Sequence, residues 1–283
     1  MFQLNIAGIL ININSSDSFK INKELECFFS SGKQDTDVLV SLESCIEIPF
    51  PDSTLLLDER MKWFHNPNKD KKFSIYIYGR ELNSAIYRLQ VNSTWDEADI
   101  TYLKNDSDII SSFIGPIGEI LFRNRILFHQ GIVIHAAAIE WEGKGILFSA
   151  PSGTGKTTQA NLWRKYKKAE ILNADRPAIR VLDNLPYIYG TPWNGSSPKC
   201  KNHYVPLSTI VMLEQAEKNS IRRLEGKEAI SHMMPRCFLP YYDEDIMNLA
   251  IDNLEKIIAV TPVYLLQCRP DKEAMEMVYQ CVR

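Results

Sequence analysis

The apolar positions of this chain follow two different spacings, and the change falls near residue 105. Lys72–Tyr78 and Ala85–Val91 alternate apolar and polar side chains on either side of a short polar link, which predicts a β-hairpin with one buried face. Phe2–Ile13 alternates more weakly and is expected to bend at Gly8. Pro49–Ser53 and His65–Lys72 carry turn-forming residues. Residues 1–105 therefore read as a smaller, β-rich N-terminal domain. It shows no catalytic set of residue types, and packing, substrate capture and oligomer contact all stay open as its task.

Across Asp106–His129 the spacing becomes helical, with Ile109, Ile110, Phe113, Ile117, Ile120 and Leu121 in step and Gly115-Pro116 interrupting. One or two helices are expected to link the domains over 106–130. Arg123 and Arg125 suit a helix carboxyl end and need no ligand to explain them. From Gly131 apolar runs alternate with helical patterns. Strands are expected at Ile132–Glu140, Gly145–Ser149, Glu170–Asp175, Ala178–Leu182, Tyr187–Tyr189, Leu207–Leu213 and Pro262–Gln267. Helices are expected from Lys156 to about Lys168, then at Gly226–Phe238, Asp243–Val260 and Asp271–Val282. The fold class this predicts for 131–283 is α/β.

The chemistry concentrates at one strand-to-helix junction. Ala150–Thr157 fits the phosphate-loop pattern, with Ala in the place of its first Gly and Gly155-Lys156-Thr157 at its end. Gly153 and Gly155 permit backbone angles that let successive N–H groups turn inward on phosphate oxygens. Ser152, Thr154 and Thr158 complete the nucleotide-binding run. Lys156 is suited to the β- and γ-phosphates and the Thr157 hydroxyl to a Mg²⁺ ion bridging them, with the positive end of the following helix aimed at the same anions. The bland alternative, a glycine-rich turn without a ligand, is disfavoured by the strand before the loop and the helix after it.

A phosphate loop also requires a carboxylate to bind Mg²⁺ or take a proton. Asp175 lies nineteen residues after Lys156 at the end of an apolar stretch, room for one helix and a return strand beside the loop strand. It reads as that carboxylate or as a turn cap before Pro177. Arg176 reads as a phosphoryl partner or a surface ion pair. His135, among small and branched apolar residues, reads as a core histidine or as a site residue on a neighbouring antiparallel strand. Tyr189–Ser196, with Trp193 and Asn194 between glycines, is a substrate-closing loop or a turn with a packed Trp. Arg222 and Arg223, expected after a strand, read as phosphate contacts or solvated charges.

Composition removes several classes. Net charge is −3 and charged residues make up 24% of 283, so no global field points to nucleic acid or an anionic membrane. No apolar run nears the roughly 20 residues that cross a bilayer. Met1–Asn12 has neither the basic start nor the cleavage site of a secretion signal. The six cysteines are scattered without CxxC spacing and read as reduced, mostly buried thiols. A cytoplasmic protein is expected.

Ser152–Thr158, preceded by His135 and followed by Ala174-Asp175, resembles the HPr kinase/phosphorylase family, in the superfamily that contains ATP-dependent phosphoenolpyruvate carboxykinase. That pattern has a histidine on the strand before the loop strand, the loop itself, and Ala-Asp-Asp after the next helix. Here Arg176 replaces the second aspartate. The family uses its aspartate pair for metal binding and for proton transfer with a substrate serine, so Asp175 must do both, or the base lies elsewhere, or the chain is not a protein kinase of that exact type. Tyr189–Trp193, Asn202–Leu213 and Cys268–Asp271 resemble HPr kinase-like proteins, some of whose relatives phosphorylate lasso-peptide precursors.

The resemblance covers about Gly131–Arg283 and implies a mixed sheet with flanking helices. It also implies an ATP- and Mg²⁺-dependent kinase acting on a hydroxyl, foremost a serine of a small protein or peptide. In this scheme Lys156, Asp175 and His135 are catalytic, Thr157 and Asp175 hold the metal, and Arg176, Trp193, Asn194 and Arg222 meet substrate. A homo-oligomer is compatible with it. The alternatives are phosphoenolpyruvate carboxykinase-like chemistry and a nucleotide-binding module that transfers nothing.

Overall fold

The computed structural model describes residues 1–15, 23–31, 35–49, 53–58, 61–66, 69–79, 85–104, 115–195 and 201–283. The chain divides into two units, Met1–Arg125 and Ile126–Arg283, each with a mixed sheet. Of the expected features, most of the turn at Pro49–Ser53, the helical positions Ile109, Ile110 and Phe113, and residues Ser196 and Cys200 lie outside the described residues.

The first sheet contains β1 (Phe2–Ile6), β2 (Ile9–Ser15), β3 (Phe29–Ser30), β4 (Val38–Cys45), β5 (Thr54–Asp58), β6 (Met61–His65), β7 (Phe73–Tyr78), β8 (Ala85–Val91) and β9 (Glu97–Leu103). They lie in the order β3-β1-β2-β4-β9-β8-β7-β6-β5, with β2–β4 and β4–β9 parallel. The bend expected at Gly8 is a two-residue turn, Ala7 at φ 52 and Gly8 at φ 75, and the Asn5 side chain accepts the Gly8 N–H at 3.0 Å. Alternation sets the buried face. Ala85, Tyr87, Leu89 and Val91 are buried, while Ile86, Arg88 and Gln90 between them are partly exposed. Lys23–Glu26 forms a short helix (α1). Pro116–Arg125 forms a longer one (α2), with Pro116 as its first residue, where its missing N–H has no intrahelical acceptor to lose.

The second sheet contains β10 (Gly131–Val133), β11 (Ala136–Trp141), β12 (Lys144–Ser149), β13 (Glu170–Asn173), β14 (Ala178–Leu182), β15 (Leu185–Tyr189), β16 (Tyr204–Gln215), β17 (Ser220–Leu224) and β18 (Val263–Cys268). Its order is β10-β14-β15-β16-β12-β11-β13, with β18 joining β16 and β17. β12, β16 and β18 run parallel. The helices are α3 (Lys156–Lys167), α4 (Gly226–Met233), α5 (Glu244–Val260) and α6 (Lys272–Val282), and Ile126–His129 and Met234–Arg236 are 3-10 turns. Ala136–Ile139 and Ile146–Phe148 are buried without alternation because both sheet faces are covered. On one face Ala160 and Trp163 of α3 and Met275 and Val278 of α6 close a core with Trp141 and Phe148.

Three details depart from expectation. Ile132–Glu140 is two strands rather than one. The chain breaks at Ile134-His135 because its main chain turns to the 3-10 turn at Met234–Arg236. His135 N–H donates to the Arg236 carbonyl at 2.8 Å, and Phe238 N–H donates to that of Val133 at 3.1 Å. The return strand β13 does not lie beside the loop strand. β11 sits between them, pairing antiparallel with both. Arg222 and Arg223 follow β16 but lie within a further strand, β17. Of the cysteines, Cys237 and Cys268 are buried free thiols, and burial pushes the Cys237 thiol up to about 12, where it stays protonated and unreactive.

Candidate functional site

Topology brings three distant segments to one edge of the second sheet. β12 and β13 end there, and β11, antiparallel to both, begins there. The loop after β12, the turn after β13 and His135 just ahead of β11 therefore meet. They line a cavity of about 500 Å³ formed by His135, the loop residues Ser152, Gly153 and Gly155, the first helical residues Lys156, Thr157 and Thr158, and then Ala174, Asp175, Asn194 and Gly195.

The loop needs its glycines for backbone reasons. Gly153 sits at φ 79 and Gly155 at φ 117, a region that residues with a Cβ rarely adopt, although a Cβ at either would meet only open space. Gly155 is the N-cap of α3 and supplies no side chain, whereas Asp243 and Asp271 cap α5 and α6 by accepting from Ile246 and Ala274. The first-turn N–H groups of α3 are thus left without a side-chain acceptor, and the positive helix end faces the cavity. Lys156 is buried, and its Nζ donates to the Ala150 carbonyl at 3.1 Å and the Pro151 carbonyl at 3.3 Å. Burial holds this amine below the ordinary lysine range. The Asp175 charge opposes that shift and Arg236 adds to it.

Asp175 stands between an imidazole and a guanidinium. His135 Nε2 is 3.3 Å from its Oδ1 and Arg176 Nε is 3.5 Å from its Oδ2. The hydrogen bond from His135, against the opposing effect of burial and with the charges of Arg176, His135 and Lys156, holds the carboxyl below the usual aspartate range. The turn that aims it is built by Asn173, which is fully buried. Asn173 Oδ1 accepts the N–H groups of Asp175 and Arg176 at 2.9 and 2.8 Å, and its Nδ2 donates to the Thr191 carbonyl and hydroxyl, both at 3.1 Å. Thr191 Oγ1 in turn donates to the Arg176 carbonyl at 2.6 Å, and Asn194 Oδ1 accepts the Ala174 N–H. Gly195, at φ 60, lies so close that a Cβ there would be 3.1 Å from that of Asp175.

The expected site residues therefore separate. Lys156, Asp175, His135, Thr157, the glycines and Asn194 share the cavity. Arg176 stands behind Asp175, with its guanidinium 5.4 Å from the centre of the Phe238 ring. Trp193 is a packed side chain, 5% exposed, that contributes its carbonyl to Asn173. Arg222 lines neither this cavity nor its neighbour, and is held in a two-pronged pair by Glu228 at 2.6 and 3.0 Å. Asn173, Thr191 and Arg236 were not legible as site residues. Each is an isolated polar residue whose role exists only once the chain has folded.

A second cavity of about 500 Å³ lies on the other flank of the loop. Gly153, Gly155 and Thr158 border it as well, with the ends of β16 and β18 forming the opposite wall.

The model of the family SynChlorMet cassette protein ScmC matches residues 103–269, more than half of the chain. The chain belongs to the ScmC family. No curated protein matches it. Among solved structures it is similar to the Hpr(Ser) kinase/phosphatase from Coxiella burnetii, at 9% identity with a TM-score of 0.33, over 53% of this chain and 94% of that one. Within the ScmC match fall the loop, His135, Asp175 and the whole first cavity. In the described residues of this family member, no helix is long and apolar enough to cross a membrane.

Proposed function

We propose that the second unit is an ATP- and Mg²⁺-dependent phosphotransferase that moves the γ-phosphate to a hydroxyl, foremost a serine of a small protein or peptide. One observation carries this reading: a buried lysine, an ionised carboxylate and a histidine converge on a helix start that has no side-chain cap, inside one cavity. The residues present fit the ion. Among the described residues no cluster of three His, Cys, Asp or Glu could cage a metal. Thr157 and Asp175, a hydroxyl and one carboxylate lining the same cavity, are the residues that would hold the ion. When bound, Mg²⁺ neutralises charge on the phosphate oxygens.

The chain's own groups do the rest. Loop N–H groups and Lys156 bind the β- and γ-phosphates, and partial burial strengthens the lysine's attraction for them. His135 fixes the Asp175 carboxylate from one side. Asp175, ionised at neutral pH, takes the acceptor's proton as the new O–P bond forms and the bond to ADP breaks. Positioning supplies most of the rate.

Incubation of the purified chain with labelled ATP, Mg²⁺ and serine-bearing peptides should yield ADP and phosphopeptide, and Lys156→Ala should yield neither while retaining its circular dichroism spectrum. A folded, active K156A protein removes the reading. An arm with oxaloacetate in place of peptide tests phosphoenolpyruvate carboxykinase-like chemistry.

A second reading has its own support. Arg176 occupies the second acidic position and pairs with Asp175 Oδ2, so both carboxylate oxygens already face cationic or donor groups. That arrangement also suits a module in which ATP binding organises a partner without transfer. ATP would then raise the melting temperature by mass action with no ADP formed.

A further inference from the structure

The second cavity is not needed for phosphate chemistry, yet it is contiguous with the loop. Its volume of about 500 Å³ falls within the range of small-molecule sites. It opens at the carboxyl ends of β16 and β18, where ligands of open α/β sheets bind. Leu213, Ala216, Cys268 and Pro270 give it apolar walls of the kind a flat ring packs against. Gln159, one turn into α3, is 2% exposed and also borders it. Its Nε2 donates to Cys268 Sγ at 3.5 Å, while its Oε1, equally buried, has no hydrogen-bond partner among the described residues. A buried carbonyl oxygen in that state is an acceptor waiting for a donor.

We propose that this cavity receives the base and ribose of the nucleotide, and that Gln159 selects a purine with an amino rather than a keto group at C6, adenine over guanine. The inference rests on the nucleotide reading of the loop and extends it from the phosphates to the base and ribose. An amino group on the base donates to Gln159 Oε1. A keto group in its place sets oxygen against oxygen and leaves the amide unsatisfied. Glu217, at the exposed rim, offers its carboxylate to ribose hydroxyls.

Calorimetric titration of the full chain with Mg²⁺ and ATP, GTP or inorganic tripolyphosphate tests this. Wild type should bind ATP at least about tenfold more tightly than GTP, the size of one hydrogen bond, and more tightly than tripolyphosphate. Gln159→Leu should lose about tenfold in ATP affinity and with it the preference over GTP, with tripolyphosphate binding unchanged. Should Q159L fail to fold, Gln159→Met removes the amide at similar length. Ala216→Trp, which fills the cavity, should reduce ATP to the level of tripolyphosphate. ATP binding no tighter than tripolyphosphate in wild type, or an undiminished ATP preference in the folded Gln159 variant, overturns the proposal. If neither ATP nor tripolyphosphate binds, the nucleotide reading has failed instead.

Discussion

The two flanks of the glycine loop are built on opposite plans. Toward β11 and β13, polar groups are locked to one another before any ligand arrives: Asn173 organises the turn, Thr191 and Asn194 brace it, and His135 and Arg176 hold the Asp175 carboxylate. Toward β16 and β18 the walls are largely apolar, and one buried amide oxygen is left open. Preorganised charge is what a chemical step requires, because groups that must reorient during reaction lose their advantage. An apolar slot with one unmet acceptor is what recognition requires. Lys156, at the start of α3 between them, serves the first plan through its charge.

The sharpest way to break this division is Lys156→Met. Turnover should fall by about a thousandfold or more, the scale of a lost electrostatic clamp. The melting temperature should move by no more than a few degrees, because a lysine whose burial holds it below its ordinary range adds no stability while charged. A thermal melt beside an ADP assay reads both, and a large drop in melting temperature would make Lys156 a structural residue. Next comes Asp175→Asn, expected to cost roughly a hundredfold or more in turnover, the usual share of a positioned base. If ATP affinity is kept and wild type also makes no ADP, the binding-module reading stands in place of the kinase.

A smaller effect sharpens the locked side. Asn173→Ala leaves the half-buried Asp175 and Arg176 N–H groups without their acceptor, and each such orphan costs up to about 1–3 kcal/mol. Urea unfolding should show that loss together with a fall in kcat. A fall in kcat without any loss of stability would mean that Asn173 acts on the chemistry directly.

Acid titration gives a finer test. The folded Asp175 carboxyl lies below its ordinary value of 3.8, so the unfolded chain binds its proton first and this group's contribution to stability grows with pH. That contribution is whole above the ordinary aspartate range and is lost as pH falls through the lowered folded value. The difference in melting temperature between wild type and D175N should therefore be constant near neutrality and shrink below about pH 4. A difference that persists unchanged to pH 2 contradicts the assignment. Smallest of all, Arg222→Ala should leave both turnover and melting temperature where they are, since Arg222 is exposed and borders neither cavity.

How much of this was legible before folding depends on where the information sits along the chain. The glycine loop could be read because its demands fall on adjacent residues: a buried strand, two backbone positions open to glycine, then a lysine and hydroxyl at the helix start. Asp175 was legible by distance from the loop, although the strand carrying it lies one place further out than that count suggested. The break before His135 was not legible. An unbroken apolar run predicts one strand, and what divides it is a main-chain bond to Arg236, about a hundred residues later in the chain. Asn173 left no trace either, because an Asn at a strand end is ordinary until its neighbours are known.

The seam between the break before β11 and the residues after α4 has a mechanical corollary. His135 hangs from the Arg236 carbonyl by its amide, and Val133 and Ile134 are fastened to Phe238 and Cys237. The imidazole is therefore suspended from a short helical segment as much as from its own strand. Through its 3.3 Å contact with Asp175, that anchoring reaches the carboxylate as well.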